Sequence, residues 1–246
     1  MKKLFSLTKR NFLEIIRDPL SMIFCAAFPL AMLIFMNVTV GNLQGGGAAI
    51  FKIEAYAPAI CVFGYTFTMM FTAMQIAGDK NSSFIKRIRI SPVGRMTYLM
   101  SFVFAAMPIA FLQTVLFFIV AFILKYPFNA KILLTFLYLI PSAFLYVSFG
   151  VLIGEICSDE KKTGPICSII VSVTSILGGI FMPTDILSGA MKNIANALPF
   201  KHSVEIASKI LSDGAGVIYP NIIYVAAYAV AAWVIIAVIE KIRAAK

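Results

Sequence analysis

The stretch of this 246-residue sequence best suited to act on another molecule is GDKNSSFIKRIRISPVGRM, residues 78–96. Phe84, Ile85 and Ile88 stand at i, i+1 and i+4, which puts them on one side of a helical turn. Lys86, Arg87 and Arg89 flank that side. Ser91-Pro92 stops the turn, because the residue before a proline avoids the helical region. A short helix with an exposed apolar face and a charged rim has the chemistry of a docking knob rather than of a reaction centre. On these residues alone, an ordinary basic loop is the other reading.

Bond-making chemistry lacks its groups elsewhere. The single histidine is His202. There is no HExxH pair to hold a metal and no GxSxG nucleophile elbow. No GxxxxGK[ST] occurs, so this stretch of protein has no phosphate-cradling loop. If ATP supplies energy, another polypeptide binds it. The four cysteines (Cys25, Cys61, Cys157, Cys167) form no CxxC. Three lie in apolar runs, where Cys behaves as a small hydrophobe. All eleven acids fall in loops or at the edges of apolar runs. An ion-coupled carrier usually keeps an ionisable relay inside the bilayer. Broken helices with free carbonyls can bind sodium without one, so that class stays open.

The elements that must position the loop are membrane helices. Some 61% of residues are hydrophobic and 13% are charged, with a mean hydropathy of +0.93. Soluble domains carry about 45–50% apolar and about 25% charged residues. One core of this size cannot hide so much apolar surface, which excludes a cytosolic enzyme, a disordered chain and a disulfide scaffold. Six apolar runs lie near 20–40, 57–77, 97–124, 132–154, 164–183 and 221–239, each near the length that a span requires. The expected fold class is all-α and polytopic, with six transmembrane helices. Residues 1–18 precede them. At 100° per residue, Leu4, Phe5, Phe12, Ile15 and Ile16 share one arc, with Lys3, Arg10, Glu14, Arg17 and Asp18 roughly opposite. This predicts an amphipathic helix at the membrane interface, ended by Pro19. The stretch 184–220 is long enough for one or two short helices that dip into the outer leaflet, and the glycines at 45–47 read as an external linker.

Orientation follows from charge. With the N-terminus inside, segments 1–19, 78–96, 155–163 and 240–246 hold 15 Lys and Arg, against six outside. That bias supports both termini in the cytoplasm. It also accounts for the net charge of +10 without nucleic acid.

The sequence resembles the permease subunit of type-2 ABC exporters, whose fold is that of the ABCG-like type V exporters, over essentially its whole length. Four features carry the resemblance: Arg17-Asp18-Pro19 followed by Phe28-Pro29; FIKRIRISPVGR after the second run; GGIFMPTDIL at 178–187; and ALPFKHSVEI at 197–206. Ser82-Ser83, Ser188 and Leu198 depart from the family pattern, and substrate identity does not carry over. The resemblance implies one transmembrane domain over 1–246. Residues 1–18, with Arg10, Arg17 and Asp18, would be a connecting helix beside the ATPase. Phe84, Ile85, Lys86, Arg87, Ile88 and Arg89 would form the ATPase-coupling helix within loop 78–96. Residues 184–220 would be the external re-entrant segment. The second and fifth spans would face a partner permease, with Phe67, Met70, Phe71, Met74, Phe181 and Met182 along the translocation path.

The expected function is therefore ATP-driven export of an amphiphilic or hydrophobic substrate: a drug, antibiotic, peptide or lipid. The expected partners are an ABC ATP-binding subunit that holds ATP and magnesium, a second permease copy (the same or different), and membrane lipid. This chain itself would carry no cofactor and no enzyme activity, in the plasma membrane of a bacterium. An ion-coupled carrier, or a scaffold or sensor bound to an ATPase without transport, remains the alternative. The coupling reading predicts that Ile88→Asp uncouples hydrolysis from transport.

Overall fold

A computed structural model describes residues 2–39, 51–91, 93–127, 131–182, 184–213 and 218–244. Among them there is no strand. The chain begins with α1 (Lys2–Arg17). A first long segment is built from α2 (Pro19–Met22), a π-helical turn (Ile23–Ala27) and α3 (Phe28–Thr39). Then come α4 (Ile53–Lys80), α5 (Ser83–Ile90), α6 (Arg95–Ile123), α7 (Lys131–Ile156) and α8 (Glu160–Leu177). A 3₁₀ turn (Thr184–Ile186), α9 (Gly189–Ala197), α10 (Pro199–Asp213) and α11 (Ile218–Ala244) complete it. The linker at 45–47 and Pro92 lie outside the described residues.

Among the described residues, five helices are long and apolar enough to cross a bilayer: Pro19–Thr39, Ile53–Lys80, Arg95–Ile123, Ile132–Ile156 and Ile218–Arg243. The fifth apolar run, expected at 164–183, is shorter as a helix. It occupies α8, whose first turn carries Glu160, Lys161 and Lys162 and whose helical geometry stops at Leu177. Its apolar part, from Gly164, rises only about 21 Å, against a hydrocarbon core of about 30 Å. Gly178 and Gly179 end it, the latter at φ +83°, a left-handed value that glycine adopts without strain.

Pro19 starts a helix as well as ending one. It occupies the first position of α2, where its missing N–H costs nothing. Asp18 caps that helix by accepting from Leu20 N at 3.2 Å and Ser21 N at 3.1 Å. Pro29 follows the π turn, the local widening used where the regular ladder cannot continue.

α4 is the most buried of the five spans and forms the centre of the bundle. α7 and α8 pack against it most extensively, with α6, α10 and α3 around them. Glycines set the closest approach. A Cβ at Gly150 would stand 2.5 Å from the Met69 carbonyl oxygen, and one at Gly154 would stand 2.8 Å from that of Ala73. These two glycines, four apart on α7, let two backbones touch, the small-residue packing that replaces hydrophobic drive inside lipid. The amphipathic helix α1 lies across α6. Its apolar arc divides between two surroundings. Ile15 and Asn11 are buried against the bundle, while Phe5 is 73% exposed and faces outward with Ile16.

Candidate functional site: the joint between the N-terminal helix and the loop helix

Asp79, in the last turn of α4, is 5% exposed and gathers three elements. Arg10 of α1 donates to both its oxygens, Nη1 at 2.5 Å and Nη2 at 2.7 Å. Tyr98 of α6 donates its hydroxyl to Oδ2 at 3.0 Å. Burial alone would lower the Arg10 pKa; the hydrogen bond and charge of Asp79, with Glu14 and Tyr98, outweigh it and raise it. The guanidinium is thus a permanent cation. It lies 4.1 Å over the Phe84 ring, so the first residue of the α5 apolar side stacks on α1. Beside this joint, Asn11 Nδ2 donates to Ser101 Oγ at 2.8 Å, and Gln75 Nε2 donates to Glu14 at 2.8 Å and to the Asn11 carbonyl at 3.3 Å. α1, α4 and α6 therefore meet through directional, charge-assisted bonds, and α5 joins them through the Phe84 ring stacked on Arg10.

The loop residues 84–90 form the expected short helix, but its apolar side points the other way. Ile85 is 2% and Ile88 8% exposed, packed with Ile76, Tyr98, Leu99 and Phe102 of the same chain. The expectation that they form an exposed knob is corrected by this packing: a loop next to a large apolar bundle buries its own isoleucines first. The outward face is Ser83, Lys86, Arg87 and Ile90, with Ile90 87% exposed. The Arg89 side chain lies outside the described set. Arg17 is exposed on α1, and Asp18 is committed to its cap.

A second ionic cluster closes the same end. Glu155, at the end of α7, has no exposed surface. Arg95 of α6 reaches its oxygens at 2.9 and 3.0 Å, Arg243 of α11 contacts it, and Lys80 of α4 donates to its backbone carbonyl and to that of Cys157. Arg95 also approaches Glu240 at 3.5 Å. One carboxylate thus ties four helix ends. By sequence Asp79 belongs to the loop 78–96 and Glu155 to the edge of the fourth apolar run. The signal available there was that an ionisable residue adjoining an apolar run is costly unless it has a partner.

The six residues expected along a path do not form one open stripe. Phe67 and Phe71 are each 6% exposed. Phe24 and Phe28 of the first span cover Phe67, with centroids at 5.9 and 5.7 Å, and Phe24 lies 6.4 Å from Phe71. Phe181 packs edge-on to Phe63 at 5.1 Å. Met70, Met74, Phe181 and Met182 are half-buried. Between α1, α4, α5 and the start of α8 lies a cavity of about 540 Å³. It combines Leu20, Phe71, Met74 and Phe84 with Glu14, Asp18 and Glu160.

At the opposite end, α10 is seated by polar contacts. His202 Nδ1 lies 2.7 Å from Asn221 Oδ1 and Nε2 lies 2.9 Å from the Asn196 carbonyl, with its ring stacked on Tyr224 at 4.3 Å. Tyr228 donates to the Ala197 carbonyl at 2.8 Å. These contacts make His202 a structural tie between α9, α10 and α11.

No curated protein matches this sequence. The family model for ABC-2 type transporters matches residues 2–212, from the first turn of α1 to the end of α10, and takes in both the Asp79 joint and the loop helix. The chain accordingly belongs to the ABC-2 type transporter family, as its non-catalytic transmembrane permease component, a family that works with ABC ATP-binding partners.

Proposed function

We propose that this chain is the permease of an ATP-driven exporter, working as a pair of permeases with two ATP-binding subunits that hold ATP and magnesium. The observation that carries this reading is the Asp79 joint. A charge-assisted tie from α4 to α1 and α6, with the Phe84 ring of α5 stacked on Arg10, would let a push on the cytoplasmic face reach the most buried span. Closure of the ATPases would press on Lys86, Arg87, Ile90 and α1 and tilt the bundle as a body between inward and outward states.

The finer parts of the reading follow. α8, continued by 178–182, serves as a sixth span. α9 and α10 serve as re-entrant helices that cap the exit, and both termini are cytoplasmic in a bacterial plasma membrane. The second permease seats on α8, whose outer side presents Ile166, Ile169 and Ile176 with the small residues Ser168 and Ser172, as helix pairing in lipid favours. The substrate is amphiphilic, in keeping with a cavity that pairs apolar side chains with carboxylates. Met70, Met74, Phe181 and Met182 are its candidate contacts.

The test compares two isoleucines of α5. Ile90→Asp leaves the fold intact and weakens association with the ATP-binding subunit by about tenfold or more, as loss of an interface anchor does. Ile88→Asp places a charge in the permease core and lowers its thermal stability instead. A chain that purifies without any ATP-binding partner and transports on an ion gradient would favour the carrier class. An ATPase partner whose hydrolysis no substrate stimulates would favour the scaffold.

A further inference from the structure

The cavity of about 540 Å³ between α1, α4, α5 and the start of α8 carries a charge opposite to its surroundings. The segments 1–19, 78–96, 155–163 and 240–246 hold 15 Lys and Arg. Yet one arginine, Arg10, lines the cavity, against four of the chain's eleven acids: Glu14, Asp18, Asp79 and Glu160. Arg10 is held by Asp79 and by Glu14, whose Oε2 it reaches at 2.8 Å. Among the described residues no ion pair reaches Asp18 or Glu160. The Glu160 carboxylate lies over α4, where a Cβ at Gly78 would stand 3.1 Å from its Oε2.

Two further observations say what such a site accepts. Gln75 lines the cavity and donates from Nε2 to Glu14 and to the Asn11 carbonyl, which fixes its orientation. Its enclosed Oε1 is left without a partner. An enclosed acceptor with no donor marks a place for a group that brings N–H bonds. The walls are apolar: Leu20 at the start of the first span, Phe71 and Met74 of α4, and Phe84 of α5. The Phe84 ring already carries one organic cation, the Arg10 guanidinium 4.1 Å from its centroid. Among the described residues no three acids converge closely enough to hold a metal ion. The volume lies within the roughly 300–1,000 Å³ of small-molecule pockets. We propose that this cavity binds an amphiphilic protonated amine, with its apolar body on Leu20, Phe71 and Met74 and its ammonium group toward Glu14 and Glu160. It is the first site of the substrate at the membrane interface, a role that rests on the export reading.

The experiment uses the permease with its ATP-binding subunit in phosphatidylcholine nanodiscs, without ATP. Three fluorescent probes share one apolar body: dansylcadaverine (cationic), N-pentyl dansylamide (uncharged) and N-dansyl-6-aminohexanoate (anionic). Dansylcadaverine is expected to bind about tenfold more tightly than the uncharged probe, since each half-exposed carboxylate contributes about threefold. The anionic probe is expected to bind least. Glu160→Gln is expected to weaken dansylcadaverine about threefold and Glu160→Lys about tenfold, while the uncharged probe stays within about twofold of its native affinity. Met74→Trp fills the cavity without changing its charge and is expected to weaken both probes.

Equal affinity for the three probes overturns the site. So does native affinity in both Glu160→Lys and Met74→Trp. A carboxylate that only complements the start of α8 would lower thermal stability in Glu160→Gln and leave affinity unchanged, which also overturns it. ATP-driven movement of dansylcadaverine is then measured in vesicles. Charge-selective binding that the two variants abolish, with no ATP-driven movement, upholds the cation site and overturns the export reading. ATP-driven movement indifferent to Glu160→Lys and Met74→Trp upholds export and overturns the site.

Discussion

Replacing Asp79 by Asn tests the joint most directly. Asn keeps the shape and one acceptor, but turns an NH₂ donor toward the donating guanidinium of Arg10. The native carboxylate accepts three bonds, two from Arg10 at 2.5 and 2.7 Å and one from Tyr98 at 3.0 Å. Breaking a fully buried pair from one side costs about 3–5 kcal/mol. Asp79 is 5% exposed but the Arg10 side chain is 30% exposed, so water recovers part of that loss. The expected cost is about 2–3 kcal/mol, which for a chain of this length lowers the melting temperature by about 5–10 °C. Thermal unfolding of the purified permease reads that shift.

Transport and hydrolysis are then measured together in vesicles containing the ATP-binding subunit. Transport falls steeply while hydrolysis continues, because in the proposed assembly the ATP site is on another polypeptide. A double variant, Arg10→Met with Asp79→Leu, recovers stability, since apolar replacement of a buried pair is often neutral or better. It does not recover transport, since the directional tie is gone. Native transport in Asp79→Asn, or full transport in the apolar pair, would refute the joint as the route of coupling.

Two further outcomes follow from packing and charge. Gly150→Ala forces a methyl against the Met69 carbonyl, which it would meet at 2.5 Å. It should cost about 1–3 kcal/mol by thermal unfolding, whereas Gly164→Ala, with nothing within 4 Å, should stabilise by up to about 1 kcal/mol. Glu155→Ala leaves Lys80, Arg95 and the half-exposed Arg243 facing one another where four helix ends meet. It should cost about 3–5 kcal/mol and reduce the yield of folded permease, more than Glu240→Ala at the rim.

Much of the fold was legible because lipid imposes one-dimensional rules. A run of about 20 apolar residues must be helical, since no water is present to satisfy backbone groups. Five of the six runs appear as helices within a few residues of their expected limits. The helix over the fifth run is short for a local reason: Glu160, Lys161 and Lys162 make up the first turn of α8 ahead of the run, and Gly178-Gly179 stops it early. α1 and α5 were legible as helices from their 3.6-residue spacing. The direction each face would point was not.

The amino-acid sequence by itself determined that this is a polytopic helical membrane protein and that its basic loop lies beside the second span. Those are properties of composition and spacing. Tertiary structure decided the rest. Ile85 and Ile88 turned inward and left Ile90 outside, because the nearest apolar surface was their own bundle. Arg10 left the solvent for Asp79, a partner 69 positions away. Glu155 became the tie of four helix ends. Partner choice depends on which helix ends the packing brings within about 3 Å of each other, and spacing along the chain carries no record of that.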